Sequence, residues 1–373
     1  MRVARTDLAD RVPAAVRALV GRVTTAGGRA WLVGGTVRDL LLGSEPLDYD
    51  IATDRTPDEL AALFPAAGLG DARYGTVRVA TEIGPVTFTT LRAESGYRDH
   101  RHPDRIEFVT DVAVDAVRRD FTVNALYLDP ATLAILDPSG GLADLEARCL
   151  RAIGPPERRF AEDPLRLLRL VKFAARCELA IAPDTAAAAG TCAAGLATLS
   201  PERGFAELSA MFTAPGRGRA LRLLVELGLA AIVLPEVAAM AGVEQPPEFH
   251  PEGDVLTHVA LVLEHVPAGD AVLAWSAVLH DVGKPPTFRR AADRIRFDGH
   301  DTLSARMAED VLRRFRAPTA WIAEVVEICR DHIRFAALPE MRPRRREAWL
   351  RSPHFGRHLA FHRADCLGSH GKL

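Results

Sequence analysis

Asp48 and Asp50 are two carboxylates one residue apart, in the run Leu47-Asp48-Tyr49-Asp50-Ile51-Ala52. Leu47 to Ala52 reads as a strand, and on a strand positions i and i+2 point to the same face. Two carboxylates side by side repel, and a divalent cation turns that repulsion into a binding site. Hard oxygen donors suit Mg²⁺, which keeps its waters and bridges to substrate phosphates. Two such ions can activate an attacking 3′ hydroxyl and steady a leaving pyrophosphate. Taken alone, a pair of this kind reads equally well as a solvated turn. Upstream, Gly34-Gly35 ends one apolar run and opens another. Bare backbone N–H groups there, with a helix N-terminus behind them, can cradle a triphosphate, and Arg38 sits one turn in, able to reach the same anion. Most Gly-Gly pairs are plain turns, so the combination with the aspartates carries the argument.

A second group of residues lies far along the chain. Ten of the twelve histidines fall at or after His250. His258, His280-Asp281, His300, Asp331-His332 and Asp365 supply imidazole and carboxylate donors that can converge on one or two divalent metals. His250, His265, His354, His358, His362 and His370 read as surface or core residues.

These side chains need elements to hold them. Leu8 to Val23 reads as an amphipathic helix ended by Gly27-Gly28, and Arg29 to Val33 as a strand. Thr36 is the expected cap of a helix from about Val37 to Leu42, which Gly43 stops. Thr56-Pro57 opens another helix. Strands are expected around Thr76–Thr81 and Val86–Leu91. The polar stretch Arg92 to Arg105, with Arg92, Arg98, Arg101 and Arg105, reads as a mobile loop. From Ala113 the pattern turns helical, with a turn at Asp137-Pro138-Ser139-Gly140-Gly141. Helices are expected at Asp163–Cys177, Pro183–Ala194, Pro201–Thr213 and Arg217–Leu227. A Pro/Gly-rich link, Gly242 to Gly253, precedes a last helical region.

The chain has 373 residues, enough for two or three domains with sizeable cores. It lacks an apolar run long enough to span a membrane, and Met1 to Asp10 lacks an apolar signal core, so a cytoplasmic protein without membrane contact is expected. Five scattered cysteines without a CxxC pair suggest neither a disulfide framework nor a cysteine zinc site. The net charge of −2 does not announce a nucleic-acid binder. The bases are nearly all Arg, only Lys172, Lys284 and Lys372 being Lys; this accords with a GC-rich genome. Arg342, Arg344, Arg345 and Arg346 form one cluster able to meet phosphates.

The run Trp31-Leu32-Val33-Gly34-Gly35-Thr36-Val37-Arg38-Asp39-Leu40-Leu41-Leu42-Gly43, followed by Asp48-Tyr49-Asp50, resembles the signature of the tRNA nucleotidyltransferase and bacterial poly(A) polymerase superfamily. It is most similar to bacterial CCA-adding enzymes. Further stretches resemble that family's motifs in order. Arg118-Arg119-Asp120-Phe121-Thr122-Val123-Asn124 looks like the motif that holds ribose and triphosphate. Asp137 to Leu145 looks like the hinge, Glu162-Asp163-Pro164-Leu165-Arg166 like the base-reading motif, and Ser200 to Leu208 like the last, structural one. One departure stands out: Thr89-Thr90-Leu91-Arg92 is preceded by Thr87 and Phe88, where the family often carries a Glu. Ala277 to Pro286, containing His280-Asp281, looks like the centre of an HD-type phosphohydrolase domain. That resemblance implies His258 as first ligand, Asp365 as last, and His300 and His332 for a second metal.

What the resemblance implies is an α+β protein. A small mixed-sheet head of the polymerase-β nucleotidyltransferase type would cover 1–137, a mostly α-helical neck 138–241, and an all-α HD domain 242–373. Asp48 and Asp50 would be catalytic and hold Mg²⁺. Gly34, Gly35, Arg38, Arg118, Arg119, Asp120 and Asn124 would bind the nucleotide. Asp163 and Arg166, at i and i+3 and so expected on one helix face, would read the base. A carboxylate only accepts and a guanidinium only donates, so the pair suits the amino group and ring nitrogen of cytosine and adenine and refuses guanine and uracil. Arg169 and Lys172 would extend that face. The implied reaction is addition of C, C and A from CTP and ATP to the 3′ end of tRNA. Addition of A alone, of CC alone or of poly(A) is an alternative, with 92–105 as the expected specificity lever. The other alternative is a metal-dependent phosphohydrolase with a nucleotide-sensing head, its HD site holding a divalent transition metal and acting on 2′,3′-cyclic or terminal phosphates. The sequence stops soon after Asp365, where such enzymes continue into a helical body, so a truncated or short chain with a weakened grip on tRNA is expected.

Overall fold

Contacts in a computed structural model divide the chain into two units, 1–163 with 180–185, and 164–179 with 186–373. The structure describes residues 2–369 except 66, 70–71, 98–102 and 249. Arg98, Arg101 and His370 therefore lie outside the described residues.

The first unit is built on a mixed sheet. Its elements are β1 (Arg2–Ala4), α1 (Ala14–Thr25), β2 (Ala30–Val33), α2 (Gly35–Leu41), β3 (Tyr49–Thr53), α3 (Pro57–Leu63), β4 (Gly68–Leu69), β5 (Thr76–Thr81) and β6 (Gly84–Thr90). There follow β7 (Arg92–Ser95), β8 (Arg105–Phe108), α4 (Val112–Val117), β9 (Tyr127–Asp129), β10 (Ala134–Leu136), α5 (Gly141–Glu146), β11 (Cys149–Leu150), α6 (Pro156–Glu162) and β12 (Ala180–Ile181). The sheet order is β1-β10-β9-β2-β3-β6-β5-β4. Only β3 and β6 pair in parallel; the other neighbours run antiparallel.

Both faces of the sheet are covered. Along β2, Ala30 and Leu32 join a core with Val16, Leu40, Ile51, Phe88 and Leu128. Trp31 and Val33, pointing the other way, pack with Ala52, Leu91 and Tyr127. Alternation places one strand in two cores because successive side chains face opposite sides.

Several sequence expectations change here. The helix expected over Leu8–Val23 is a 3₁₀ turn, Thr6–Arg11, followed by α1. Pro13 divides them, because a proline pushes the preceding residue out of the helical region; Val12 sits at φ −92°, ψ 118°. The described ends of the loop expected over Arg92–Arg105 are strands rather than loop: β7 and β8 pair antiparallel, with Arg92 opposite Phe108 and Ser95 opposite Arg105. The helical pattern after Ala113 yields only α4 before the chain returns to the sheet as β9 and β10. Buried on both faces, Ala125-Leu126-Tyr127-Leu128 is a continuous apolar run that its period cannot assign to strand or helix.

The second unit is helical apart from one small hairpin. Its first part holds α7 (Leu165–Arg176), α8 (Pro183–Cys192), α9 (Pro201–Thr213), α10 (Arg217–Glu226), α11 (Ala230–Val233) and α12 (Pro235–Ala238). Its second part holds α13 (Val255–His265), α14 (Ala271–Leu279), α15 (Lys284–Thr287), β13 (Arg289–Arg290), β14 (Ile295–Arg296), α16 (His300–Arg314), α17 (Thr319–Asp331), α18 (Pro343–Leu350) and α19 (Phe355–Ser369). Helix α14 is the hub: from Val272 to Leu279 every residue is buried. Trp275 stacks on Phe205 at 5.4 Å between ring centroids, meets Phe212 edge-on at 5.2 Å, and donates its indole N–H to Ser209 Oγ at 2.9 Å. A hydrogen-bonded tip is what lets a residue of that size be buried. All five cysteines are free. No described helix is long and apolar enough to cross a membrane.

Candidate functional sites: a carboxylate pair in the first unit and a histidine–aspartate centre in the second

The head site begins with the pairing of β2 and β3. Leu32 lies opposite Ile51, so one residue further the register brings Val33 and Gly34 level with Asp50 and Tyr49. Gly34 has φ 71° and ψ −135°, backbone that a side chain resists, and it serves as the N-cap of α2. Thr36, expected as the cap, lies inside the helix and does another job. Its hydroxyl donates to Asp48 O at 3.2 Å and accepts from Asp50 N at 2.9 Å. The first turn of α2 is thereby tied to Asp50 on β3 and to Asp48, which lies just before that strand rather than on it as the sequence suggested. Asp48 is exposed and Asp50 half-buried. The residue on β6 opposite Asp50 is Thr87, so the strand that might have supplied a third carboxylate supplies a hydroxyl.

Arginines flank the glycine turn. A methyl group added at Gly34 would stand 3.7 Å from Arg119 Nη1, and one at Gly35 would stand 3.4 Å from Arg38 Nη2. Arg38 is only 1 % exposed. It donates to Asp39 Oδ1 at 2.6 and 2.9 Å and to Asn124 Oδ1 at 2.7 Å, and Asn124 Nδ2 donates to Asp120 Oδ1 at 3.1 Å. Arg38, Asp120 and Asn124 thus form a buried chain of bonds behind the turn. Arg118 and Arg119 are organised by Asp115, which is fully buried. Arg118 Nε lies 2.8 Å from Asp115 Oδ1, Arg119 Nη2 3.0 Å from Oδ2, and the Tyr127 hydroxyl donates to Oδ2 at 2.7 Å. Burial opposes ionisation of Asp115, but Arg119 and Arg118, with Tyr127, hold its carboxyl well below the usual range. Asp115 had no distinguishing signal in the sequence. A cavity of about 420 Å³ beside Arg118 is lined by Glu94, Tyr97, Val117, Arg158 and Arg159 among others.

The base-reading pair requires a correction. Asp163 and Arg166 do not share a helix face. Helix α6 ends at Glu162, Asp163 is extended at φ −148°, ψ 102°, and Arg166 stands in the first turn of α7. Asp163 precedes Pro164, and the residue before a proline is driven out of the helical region. Further along α7, Arg169 lies over the Phe173 ring at 5.0 Å and Lys172 pairs with Glu207 at 2.5 Å.

The centre in the second unit is drawn together from five helices and their ends. Asp254 caps α13 by accepting from Thr257 N at 2.9 Å, and His258 follows in the first turns. His280 and Asp281 end α14. Gly283 lets α16 come close: a methyl group there would be 2.5 Å from His300 O. Gly368 does the same between α19 and α13, at 2.8 Å from Val262 N, and brings Asp365 to His258.

Four imidazole Nε2 atoms and three carboxylate oxygens converge. His258 Nε2 lies 3.2 Å from His280 Nε2 and 3.1 Å from Asp365 Oδ1. Asp281 Oδ2 is 3.2 Å from His280 Nε2 and 3.6 Å from His258 Nε2. Its other oxygen, Oδ1, is 3.6 Å from His300 Nε2 and 3.7 Å from His332 Nε2, which are 3.3 Å from each other. Asp281 therefore stands between two ligand sets, His258–His280–Asp365 and His300–His332, with one oxygen toward each. Every ring is oriented from behind. The Nδ1 atoms of His280, His300 and His332 donate to the carbonyls of Ala277, Phe297 and Cys329 at 2.7–2.9 Å, and that of His258 meets Glu252 at 2.9 Å. In His280, His300 and His332 the proton-bearing Nδ1 leaves Nε2 as a bare acceptor, the tautomer that binds metal.

His300 and His332 turn lone pairs toward each other and toward Asp281 Oδ1, a repulsion that a cation between them relieves. Both Asp281 oxygens are buried and accept no hydrogen bond; Lys284 Nζ, at 2.7 Å, makes an ion pair without hydrogen-bond geometry. Two ligands each about 2.0–2.2 Å from one tetrahedral ion stand roughly 3.3–3.6 Å apart, close to the spacing here. The donor set fits two divalent ions. Burial works against a charged ring at His258, yet Asp365 and Glu252 outweigh it and raise that imidazole to about 9. Burial and neighbouring His280 lower His332 to about 4. A cavity of about 450 Å³ opens over the centre, with Lys284, Arg294 and Arg296 in its wall. Lys284, three residues after Asp281, was readable from its spacing; Glu252, in an irregular stretch, was not. His250, read as a surface or core residue, shares that Glu252 oxygen at 2.9 Å.

Known proteins resemble the chain in the same order. Family models match the Poly A polymerase head domain over 30–151, the probable RNA and SrmB-binding site of polymerase A over 178–240, and the HD domain over 254–351. The CCA-adding enzyme of Geobacillus thermodenitrificans is 40% identical over 211 residues, 57% of this chain and 52% of that protein. The multifunctional CCA protein of Azoarcus sp. (strain BH72) is 34% identical over 313 residues, 82% of this chain and 73% of that protein. A crystal structure of the Bacillus stearothermophilus CCA-adding enzyme with CTP superposes with a TM-score of 0.70 at 28% identity, over 96% of this chain and 78% of that one. The match to the first of these relatives spans about half of its length. With a head, an RNA-binding segment and an HD domain in this order, and a relative alike over most of both chains, this chain belongs to the CCA-adding enzyme and poly(A) polymerase family.

Proposed function

We propose that this chain adds C, C and A to the 3′ end of tRNA from CTP and ATP in the cytoplasm, and that its HD centre hydrolyses phosphate esters. One observation carries the first part. Thr36 ties the helix that follows Gly34-Gly35 to the backbone of both aspartates, so a phosphate-sized anion at the turn and a cation at the carboxylates would be neighbours.

In this reading the head is 1–137, the neck 138–241 and the HD domain 242–373. Asp48 and Asp50 offer hard oxygens at an accessible strand end, a donor set that fits Mg²⁺ completing its shell with waters and phosphate. Bound there, Mg²⁺ would lower the cost of the attacking 3′ oxyanion and of the departing pyrophosphate. The glycine turn and Arg119 receive the triphosphate, Arg118 stands beside it, and Arg38, Asn124 and Asp120 brace the turn from inside. The residues accelerate transfer by position and charge alone, without a covalent intermediate. Asp163 and Arg166 read the base edge from the break between two helices, with Arg169 and Lys172 following on α7. The exposed Arg342, Arg344 and Arg345 at the start of α18 meet RNA phosphates.

The HD part rests on the four imidazole Nε2 atoms that meet the two buried oxygens of Asp281 at 3.2–3.7 Å. Divalent transition ions held by His258, His280, Asp281, His300, His332 and Asp365 would supply an activated water at neutral pH. Lys284, Arg294 and Arg296 give the cavity wall positive charge suited to a phosphate ester.

The test is incorporation of labelled CTP, ATP, GTP or UTP into tRNA ending before CCA, at C or at CC, with Mg²⁺. Two C and one A, with G and U refused, is the expected result. A alone on the CC end, CC alone, or a long A tail would replace CCA addition by the corresponding narrower activity, and no incorporation would overturn the transferase reading.

A further inference from the structure

Away from both sites, α17 and the beginning of α19 bring another set of donors together. Glu327 and Asp331 stand one turn apart on α17. His354 directly precedes α19, and His358 lies one turn further on. Glu327 is shared between the two histidines: its Oε2 is 3.0 Å from His354 Nδ1 and its Oε1 is 3.3 Å from His358 Nε2. Ligand atoms of Glu327, Asp331 and His358 all lie within 4.8 Å of one another. His358 is almost fully buried, with its side chain 1 % exposed, whereas His354 is 41 % exposed.

We propose that Glu327, Asp331, His354 and His358 form a further divalent-metal site, of the zinc type, that clamps α17 to α19. Glu327, Asp331 and His358 present three donors to one point, and His354 stands on the other oxygen of Glu327, where it can serve as the fourth ligand of a tetrahedral ion. Imidazole nitrogen and carboxylate oxygen are a donor set that zinc takes at about 2.0–2.2 Å, and ligands so placed are roughly 3.3 Å apart, the spacing of His358 from Glu327. Both Glu327 oxygens face imidazole nitrogens, and Asp331 adds a second carboxylate to the group. Like charge between Glu327 and Asp331 is offset in part by Arg334, which pairs with Asp331 at 2.6 Å, and a cation completes the balance. Exposure of His354 on the outer side leaves a route for the ion to enter.

The location has a consequence for the HD centre. Asp331 is followed at once by His332, and α19 carries His358 and, two turns on, Asp365. A metal here would hold in register the two helices that deliver the last two HD ligands. Its role is structural, because none of the four side chains lines the cavity over Asp281.

The site is tested on the full chain, stripped with chelator, reloaded with Zn²⁺ and dialysed. Bound zinc is counted in the parent, in E327Q/H354A and in H280A/D281A. The expected result is one equivalent fewer in E327Q/H354A than in the parent, and a remaining equivalent in H280A/D281A that Co²⁺ replaces with tetrahedral d–d absorption. Thermal unfolding in chelator gives the metal-free midpoint of each protein; relative to it, zinc should add this site's upward shift in the parent and not in E327Q/H354A. Equal zinc content in the parent and E327Q/H354A, or no zinc in H280A/D281A, overturns the proposal.

Discussion

Single side chains act here mainly through what they hold in place. Asp115, itself buried, touches Arg118, Arg119 and Tyr127 at once, and its charge is compensated by two half-buried guanidinium groups. Removing one partner of such a group leaves the others unpaired, which costs about 3–5 kcal/mol. We expect Asp115→Asn to lose about that much at pH 7. The sign of the pH dependence follows from the depressed carboxyl. Its stabilisation is fully present above the unfolded value of about 4 and is lost as pH falls below that. Denaturant titrations of parent and variant should therefore diverge at neutral pH and approach each other below about pH 4; a constant gap would contradict this role. The sequence displayed Arg118 and Arg119 as a motif, but Asp115 is one acidic residue in an ordinary helix. Its importance comes from burial beneath a strand it does not belong to.

At the level of elements, close approach between helices decides whether the HD ligands meet. Gly283 is the clearest case, with no room for a side chain against His300 O and Ser304 N. Its own N–H donates to Ser304 Oγ at 2.9 Å, so helix α16 is held as well as admitted. Gly283→Ala should destabilise the second unit by about 1–3 kcal/mol through overpacking. It should also weaken metal binding at the HD centre more than at the carboxylate pair, read by metal titration of the folded variant. Unaltered metal affinity would mean that the spacing tolerates a shift of α16. Prolines work at the same scale and opposed the periodic reading twice. Pro13 divided one expected helix, and Pro164 separated Asp163 from Arg166. The periodicity of the surrounding residues is helical in both cases, and one ring that cannot follow a helical neighbour overrides it.

For the molecule as a whole, the two centres lie in different compact units, the aspartates at 48 and 50 in the first and all six HD ligands in the second. Their chemistries should then separate. Asp50→Asn should reduce nucleotide addition at least about 100-fold, an effect of the size seen on removing one electrostatic catalytic group, and leave phosphate-ester hydrolysis intact; His280→Ala should do the reverse. Assaying both variants for both reactions checks this, and loss of both activities in either variant would show that the centres depend on each other. Local order was legible from the sequence: the strand–glycine–helix run, the helix opened by Thr56-Pro57, and the helical character from Leu165 onward. These rest on backbone preference and period, which act between near neighbours. The resemblance also named, by type and order, the histidines and aspartates that the fold brings together around Asp281. The sequence could not display that Asp281 faces two sets of donors with separate oxygens, that Glu252 orients His258, or that Thr36 joins a helix to the backbone of Asp48 and Asp50. Those relations link residues far apart along the chain or on different elements, and only packing at the glycine contacts and strand register sets the ångström distances on which binding depends.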